Sequence, residues 1–239
     1  MVIESGPVHS FAIGDGYGVY RGPTADSAFH RHAAFQIAVA ERGEITMMAP
    51  TGTRHHGEAL LVAPMMRHRL LATEDLHTFY VEPQCVSADR LRALVEQAAR
   101  SGRGGSGIIA APELSGFRAS DLAGPSPSGE LDPRLVTALN LLRDGTVTLP
   151  ELPALVGLSP QRLRALAREQ VGMPLARWRI WAQLRRATEA LGAGESLAAA
   201  AITAGFADQA HFTRRMREMM GLTPAVVLAA LSDQSRCAT

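Results

Sequence analysis

The sequence predicts an α+β chain of two domains: a small N-terminal β-barrel with a helical extension, then an all-α bundle with two helix-turn-helix motifs. Three observations carry this prediction. Short β-type runs crowd the first 82 residues, a Gly-, Ser- and Pro-rich stretch follows them, and beyond it one helical plan occurs twice, 49 residues apart. The expected boundaries are 1–100 for the barrel and its helix, 101–131 for a connection, 132–231 for the bundle and 232–239 for a disordered tail.

Val19-Tyr20, Phe35 to Ala40, Glu44 to Met48, Ala59 to Val62, Arg69 to Leu71 and Thr78 to Val81 read as strands. Turns such as Glu41-Arg42-Gly43 and Pro50-Thr51-Gly52 separate them, which suggests a small barrel or sandwich. Ser87 is placed to cap a helix carrying Leu91, Leu94, Val95 and Ala98. Residues 101–129 hold seven Gly, three Pro and six Ser, a composition that favours a flexible connection in which Ile108, Ile109 and Phe117 could pack on a neighbour.

Asp132-Pro133 supplies an N-cap and a first-turn proline for a helix with Leu135, Leu139 and Leu142, closed by Gly145. Thr148 and Glu151 have capping-box spacing at the start of the first repeated motif. In that copy, Ser159 precedes a helix with Leu163, Arg168-Glu169 and a terminal Gly172. The second copy sets Asp208, Phe212, Arg217-Glu218 and Gly221 on the same plan, so independent start and stop signals agree. Trp178, Trp181, Leu184 and Leu191 fall at helical spacing in a joining helix from about Leu175 to Leu191. Leu163, Ile202, Phe212 and Met216 read as core.

A short helix braced behind a readable one places side chains in the DNA major groove, and two such units on one face of a duplex want a spacing of roughly 34 Å. Charge agrees with that use. The net charge is only +1, but residues 159–217 hold 10 Arg against 4 acids, while residues 1–131 hold 11 Arg against 14. Every cation is Arg, in the acidic half as well as the basic one, so the bias reflects genome composition and carries no functional inference. No run of 18 apolar residues suggests a membrane span, and Met1 to Pro7 lack the basic start and apolar core of a secretory leader. Cys85 and Cys237 suggest neither a disulfide scaffold nor a zinc site; a reduced cytoplasmic compartment is expected.

From about Leu131 to Val227 the chain resembles the DNA-binding domain of AraC/XylS-type transcriptional regulators. The second copy follows the family pattern most closely, in Gly205-Phe206, His211-Phe212, Arg214 and Gly221-Leu222-Thr223-Pro224. The first departs from it at Pro153, which sits inside a helix, and at Ala165 and Ala167. The resemblance implies double-stranded DNA as partner, with Gln161, Arg162, Arg164 and Arg168 on one recognition helix and Gln209, His211, Arg214, Arg215 and Arg217 on the other. Gln can pair with adenine and Arg with guanine, while Arg168, Arg215 and Arg217 could instead contact phosphate. A homodimer, a small-molecule effector and contact with RNA polymerase are further implications of the family.

His30, His32 and Gln36 share one face of a strand with Ala34, Ala38 and Ala40; Phe35, Ile37 and Val39 take the other. Small residues around polar ones describe a lined cavity. The spacing resembles the first motif of cupins, with Gln36 where a metal-binding member carries Glu, and Gly57 to His68 resembles the second. Three arrangements fit His30, His32, Gln36 and His68: a divalent metal site, a metal-free effector pocket, or histidines satisfied by their neighbours. The effector pocket is the expectation adopted, with no metal, cofactor or catalytic residue assigned. His55-His56 is expected in a solvent-facing turn.

Two other functional classes stay open. A cupin-type metal-dependent enzyme with an appended helical domain gains from the histidines and loses from Gln36 and the absence of convergent carboxylates. An architectural DNA-binding protein would use the barrel only to dimerise, through Leu91, Leu94 and Val95.

Overall fold

The computed structural model describes residues 10–102, 107–122 and 126–237, with side chains to residue 231. Met1 to Pro7, on which the expectation about a leader rests, lie outside them. Strands β1 (Ser10–Gly14), β2 (Tyr17–Thr24), β3 (Phe35–Ala40), β4 (Ile45–Met48), β5 (Arg54–Gly57), β6 (Ala59–Val62), β7 (Arg69–Leu70), β8 (Thr73–Val81) and β9 (Ile108–Ala110) form two antiparallel sheets. One has the order β1-β2-β8-β3-β6-β9 and the other β5-β4-β7. Central strand β3 sets Gln36 opposite Tyr80 of β8 and Val62 of β6.

The period-2 pattern of β3 decides what each face meets. Phe35, Ile37 and Val39 pack with Phe79, Val81 and Leu91 beneath helix α1 (Ser87–Arg100). Ala34 and Ala38 face the other way, into a core shared with Ile45, Met47 and Leu70 of the smaller sheet. That second core runs on without a break into the helical region, so the sheet is buried on both faces.

Three expectations need correction. Residues 101–131 are not a free connection: β9 pairs with β6, and short 3-10 turns at Pro112–Leu114 and Ala119–Asp121 follow it. Ile108, Ile109, Leu114 and Phe117 are buried, and their burial outweighs a polar composition that otherwise favours looseness. His55-His56 lies in strand β5, because residues 54–57 pair with β4 as a sheet edge. The tail is helical as far as Cys237; residues 238–239 lie outside the described ones.

The helical region contains α2 (Pro133–Asp144), α3 (Leu152–Leu155), α4 (Pro160–Gln170), α5 (Leu175–Gly192), α6 (Leu197–Thr203), α7 (Gln209–Met220) and α8 (Pro224–Cys237). Their ends follow the expected chemistry. Asp132, Ser159, Ser196 and Asp208 each accept a main-chain N–H at a helix start, while Gly145 and Gly221 end α2 and α7 in the left-handed region. The Glu151 carboxylate accepts the Thr148 main-chain N–H at 2.7 Å, but α3 itself begins only at Leu152. Pro153 occupies the first turn of α3, where its missing N–H costs nothing; the helix is shortened to four residues, against seven in α6.

Helix α5 is the central rod. Its 18 residues span about 27 Å, and Trp178, Trp181, Leu184 and Leu191 are buried along it. Trp178 is fully buried, and its indole N–H donates to Leu139 O of α2 at 2.8 Å. Ile202 is not core: it is 62% exposed, on the face of α6 turned away from α5 and α7.

Candidate nucleic-acid interface and histidine cluster

Within each recognition helix, burial separates packing from reading. Leu163, Leu166 and Ala167 anchor α4, and Phe212, Met216 and Met219 anchor α7. Gln161, Arg162, Arg164 and Arg168 are exposed on α4, as are Gln209, Arg214 and Arg217 on α7. Arg162 lies 3.5 Å from Glu169 across two helical turns, and Arg164 Nε donates to Pro160 O; both side chains stay on the surface.

His211 and Arg215 are placed differently. The His211 ring packs edge-on against Phe206 at 5.4 Å, which ties it to the turn between α6 and α7. Arg215 donates from Nη1 to Glu218 Oε2 at 2.7 Å and from Nε to His211 Nε2 at 3.3 Å. Glu218 also accepts from Arg177 of α5. Although partial burial acts against it, the two guanidiniums hold the Glu218 carboxyl below its ordinary pKa. Arg177, Glu218 and Arg215 thus brace α7 on the central rod. Only the Arg217-Glu218 pair within this brace stood out in the sequence, because Arg177 lies 41 residues from its partner.

On the sheet side, His30, His32, Gln36 and His68 come together and all four are buried, at 4%, 1%, 2% and 0% exposure. A two-residue bridge makes the meeting: His30 N–H donates to His68 O at 2.9 Å, and His68 N–H donates to His30 O at 3.0 Å. The loop before His68 is held over His32 by the Met65 N–H, which donates to His32 O at 2.7 Å from a residue with φ 65°. A methionine in the left-handed region is uncommon and costs energy that its surroundings must offset.

The ring centroids of the three histidines lie 4.5–5.1 Å apart. His30 Nδ1 is 2.7 Å from Ala28 O and His68 Nδ1 is 3.0 Å from Met66 O. A carbonyl can only accept, so both rings carry their proton on Nδ1 and present an Nε2 lone pair. Gln36 Oε1 stands 2.8 Å from His68 Nε2 and 3.0 Å from His32 Nε2. His32 Nδ1 is buried without a well-formed hydrogen bond, its nearest help a weak contact with the Met219 main chain. Burial, and then the neighbouring rings, push these histidines down, His68 to about 3, so all three are neutral at physiological pH.

The cluster borders the helical region. The His32 ring stands 6.3 Å from the Trp181 ring, and Arg31 N–H donates to Glu218 O at 3.4 Å. Beside it the buried Glu82 accepts from Trp181 Nε1 at 3.3 Å, from Arg185 Nη1 at 3.2 Å and from Gln84 Nε2 at 2.8 Å. Phe11, Tyr80, Trp181 and Met220 line a small apolar cavity there, of about 30 Å³. Sequence reasoning missed Glu82, although an acid closing the apolar run Phe79-Tyr80-Val81 is a signal that it needs a partner.

Comparison with known proteins adds three findings. Residues 152–230 match a family model described as a helix-turn-helix domain. The bifunctional transcriptional activator/DNA repair enzyme Ada of Escherichia coli is 33% identical over 113 residues, which are 46% of this chain and 32% of that protein. The chain therefore spans about a third of the length of that relative. The crystal structure of ToxT from Vibrio cholerae superposes with a TM-score of 0.54 at 11% identity, over 91% of this chain and 98% of that one. A structure of ToxT with bound unsaturated fatty acid gives 0.54 at 13%, over 93% and 96%. At these identities the likeness concerns the fold, a sheet-rich region followed by a helical one.

Proposed function

The C-terminal region of this chain is a helix-turn-helix domain of the AraC type, and from that premise we propose that the whole chain is a sequence-specific transcriptional regulator controlled by an effector at its β-sheet domain. The observation that carries this reading is the sorting of each recognition helix. Apolar anchors are buried inward, and Gln161, Arg164, Arg168, Gln209, Arg214 and Arg217 face solvent with their donors free for a groove. Among the described residues no helix is long and apolar enough to cross a membrane, which suits a protein that meets DNA in the cytoplasm.

Control by an effector is supported by the continuity of the two cores and by Glu82, Trp181 and Arg185 at the seam, through which a change at the sheet reaches α5. A ligand acts through such a seam only if it binds its two arrangements unequally. The effector-binding residues in this reading are His30, His32, Gln36 and His68. A homodimer binding two half-sites, with contact to RNA polymerase, completes the proposal.

Selection of bound sequences from a random duplex pool tests the DNA part. Enrichment of a motif with two contact blocks about one helical turn apart supports it. Retention of the pool without enrichment, at any salt concentration, refutes sequence-specific reading.

A further inference from the structure

We propose that His30, His32 and His68, with the Gln36 amide oxygen, bind one divalent transition-metal ion, and that the bound ion braces the end of recognition helix α7. Its regulatory half rests on the DNA-binding reading above; the metal half stands on the geometry of the cluster.

One nitrogen from each imidazole lies within 4.8 Å of the other two, in a space closed to solvent. That space suits an ion and not an organic molecule. The Ala28 and Met66 carbonyls fix the His30 and His68 rings through Nδ1 and aim Nε2 inward. Main-chain acceptors orient ligating histidines in this way. With its proton on Nδ1, His68 has only a lone pair on Nε2, and it faces the Gln36 oxygen at 2.8 Å. Two acceptors at that separation repel unless something positive is shared between them. Metal–ligand bonds of about 2.0–2.2 Å set neighbouring donor atoms about 3 Å apart, the spacing of Gln36 Oε1 from His68 Nε2 and His32 Nε2. Neutral imidazoles with one amide oxygen, and no carboxylate, suit zinc, nickel or cobalt rather than magnesium or calcium.

The same side chains touch α7. A Cβ built at Gly221, which ends that helix, would stand 2.6 Å from His30 Nδ1. His32 Nδ1 faces the Met219 main chain, and the Arg31 N–H donates to Glu218 O. An ion that locks the three rings therefore fixes the surface against which the end of α7 rests.

The test uses the full chain, stripped by chelator and titrated with Zn²⁺ and, as a spectroscopic probe, Co²⁺. We expect one equivalent per chain, visible-region Co²⁺ bands that report nitrogen ligands, and at least a tenfold loss of affinity in His68→Ala and His32→Ala. Gln36→Glu, which keeps shape and adds charge, should bind at least tenfold more tightly, and it serves if the alanine variants fail to fold. Binding to the DNA chosen in the selection above should change severalfold on adding Zn²⁺ to the stripped protein, and should not change in His68→Ala. No stoichiometric binding by the wild type or by Gln36→Glu overturns the site and leaves a metal-free network closed by the turned Gln36 amide. Metal bound without any change in DNA affinity overturns the coupling alone. Failure to bind any DNA overturns the regulator reading, while the Co²⁺ titration still decides the site.

Discussion

His30 lies across Gly221, so close that a Cβ there would stand 2.6 Å from the imidazole Nδ1. Gly221 also has φ 68°, in the left-handed region. Two separate demands thus fall on one glycine. Gly172, its counterpart after α4, has φ 70° but nothing within 4 Å of a built Cβ. Alanine at Gly172 should cost only the backbone term, about 1–2 kcal/mol. Gly221→Ala should cost at least about 1 kcal/mol more, because the ring packed against it must also shift. Urea unfolding of both variants measures the difference, and removing the ring with His30→Ala should abolish it. Equal losses in the two glycine variants would mean that His30 moves aside freely.

The seam between sheet and helices depends on one carboxylate. Glu82 is 1% exposed and holds Arg185, which is also paired with Glu189. Glu82→Gln keeps the shape and removes the charge. The expected loss is about 1–3 kcal/mol, below the cost of stripping a buried pair bare, since Arg185 keeps a second partner. The Trp181 indole donates to the same carboxylate, so the variant should also shift the tryptophan emission. Unchanged stability together with unchanged emission would show that the seam is held by apolar packing alone.

Glu218 gives the brace a pH dependence. Its carboxyl is held below the ordinary range by Arg177 and Arg215, against the opposing effect of partial burial. A depressed folded pKa contributes stability above the unfolded value and loses it as pH falls through the folded one. Stability should therefore decline on acidification below about pH 4.5, the ordinary range for Glu. Glu218→Gln should flatten that part of the profile. The side chain is 35% exposed, so solvent screens the effect and the change should be small. Superimposable acid profiles for wild type and variant would remove Glu218 from the brace.

The helical region was legible in the sequence because its signals are local. Ser159, Asp208, Gly145 and Gly221 act on the nearest turn of backbone, and each does what its residue type dictates. Strands β3 and β6 were legible to the residue, since alternation on β3 and an unbroken apolar run on β6 fix their ends. Strands β5 and β9 were not: Arg54-His55-His56-Gly57 and Ile108-Ile109-Ala110 become strands through pairing with distant β4 and β6. Long-range partners also explain Glu82 and Arg177. The histidine cluster was visible as a set, but its closure against α7 depends on contacts between residues nearly two hundred positions apart.

Arg214 is the most direct test of reading. It is exposed on α7, clear of the Arg177–Glu218–Arg215 brace, whereas Ala165 occupies the equivalent place on α4 and offers no donor. Arg214→Ala should weaken binding to the selected sequence by about 1–3 kcal/mol and leave binding to random duplex nearly unchanged, as loss of a bidentate guanine contact would. Arg168→Ala should instead weaken both by similar factors and lower the salt dependence by about one counterion, if it meets phosphate. Arg215→Ala should act mainly on stability, because its guanidinium is engaged with Glu218 and His211. Filter or fluorescence binding on selected and scrambled duplexes separates the three. Equal loss on both duplexes for Arg214→Ala would assign that side chain to the backbone and leave base reading by the second motif to Gln209 and Arg217.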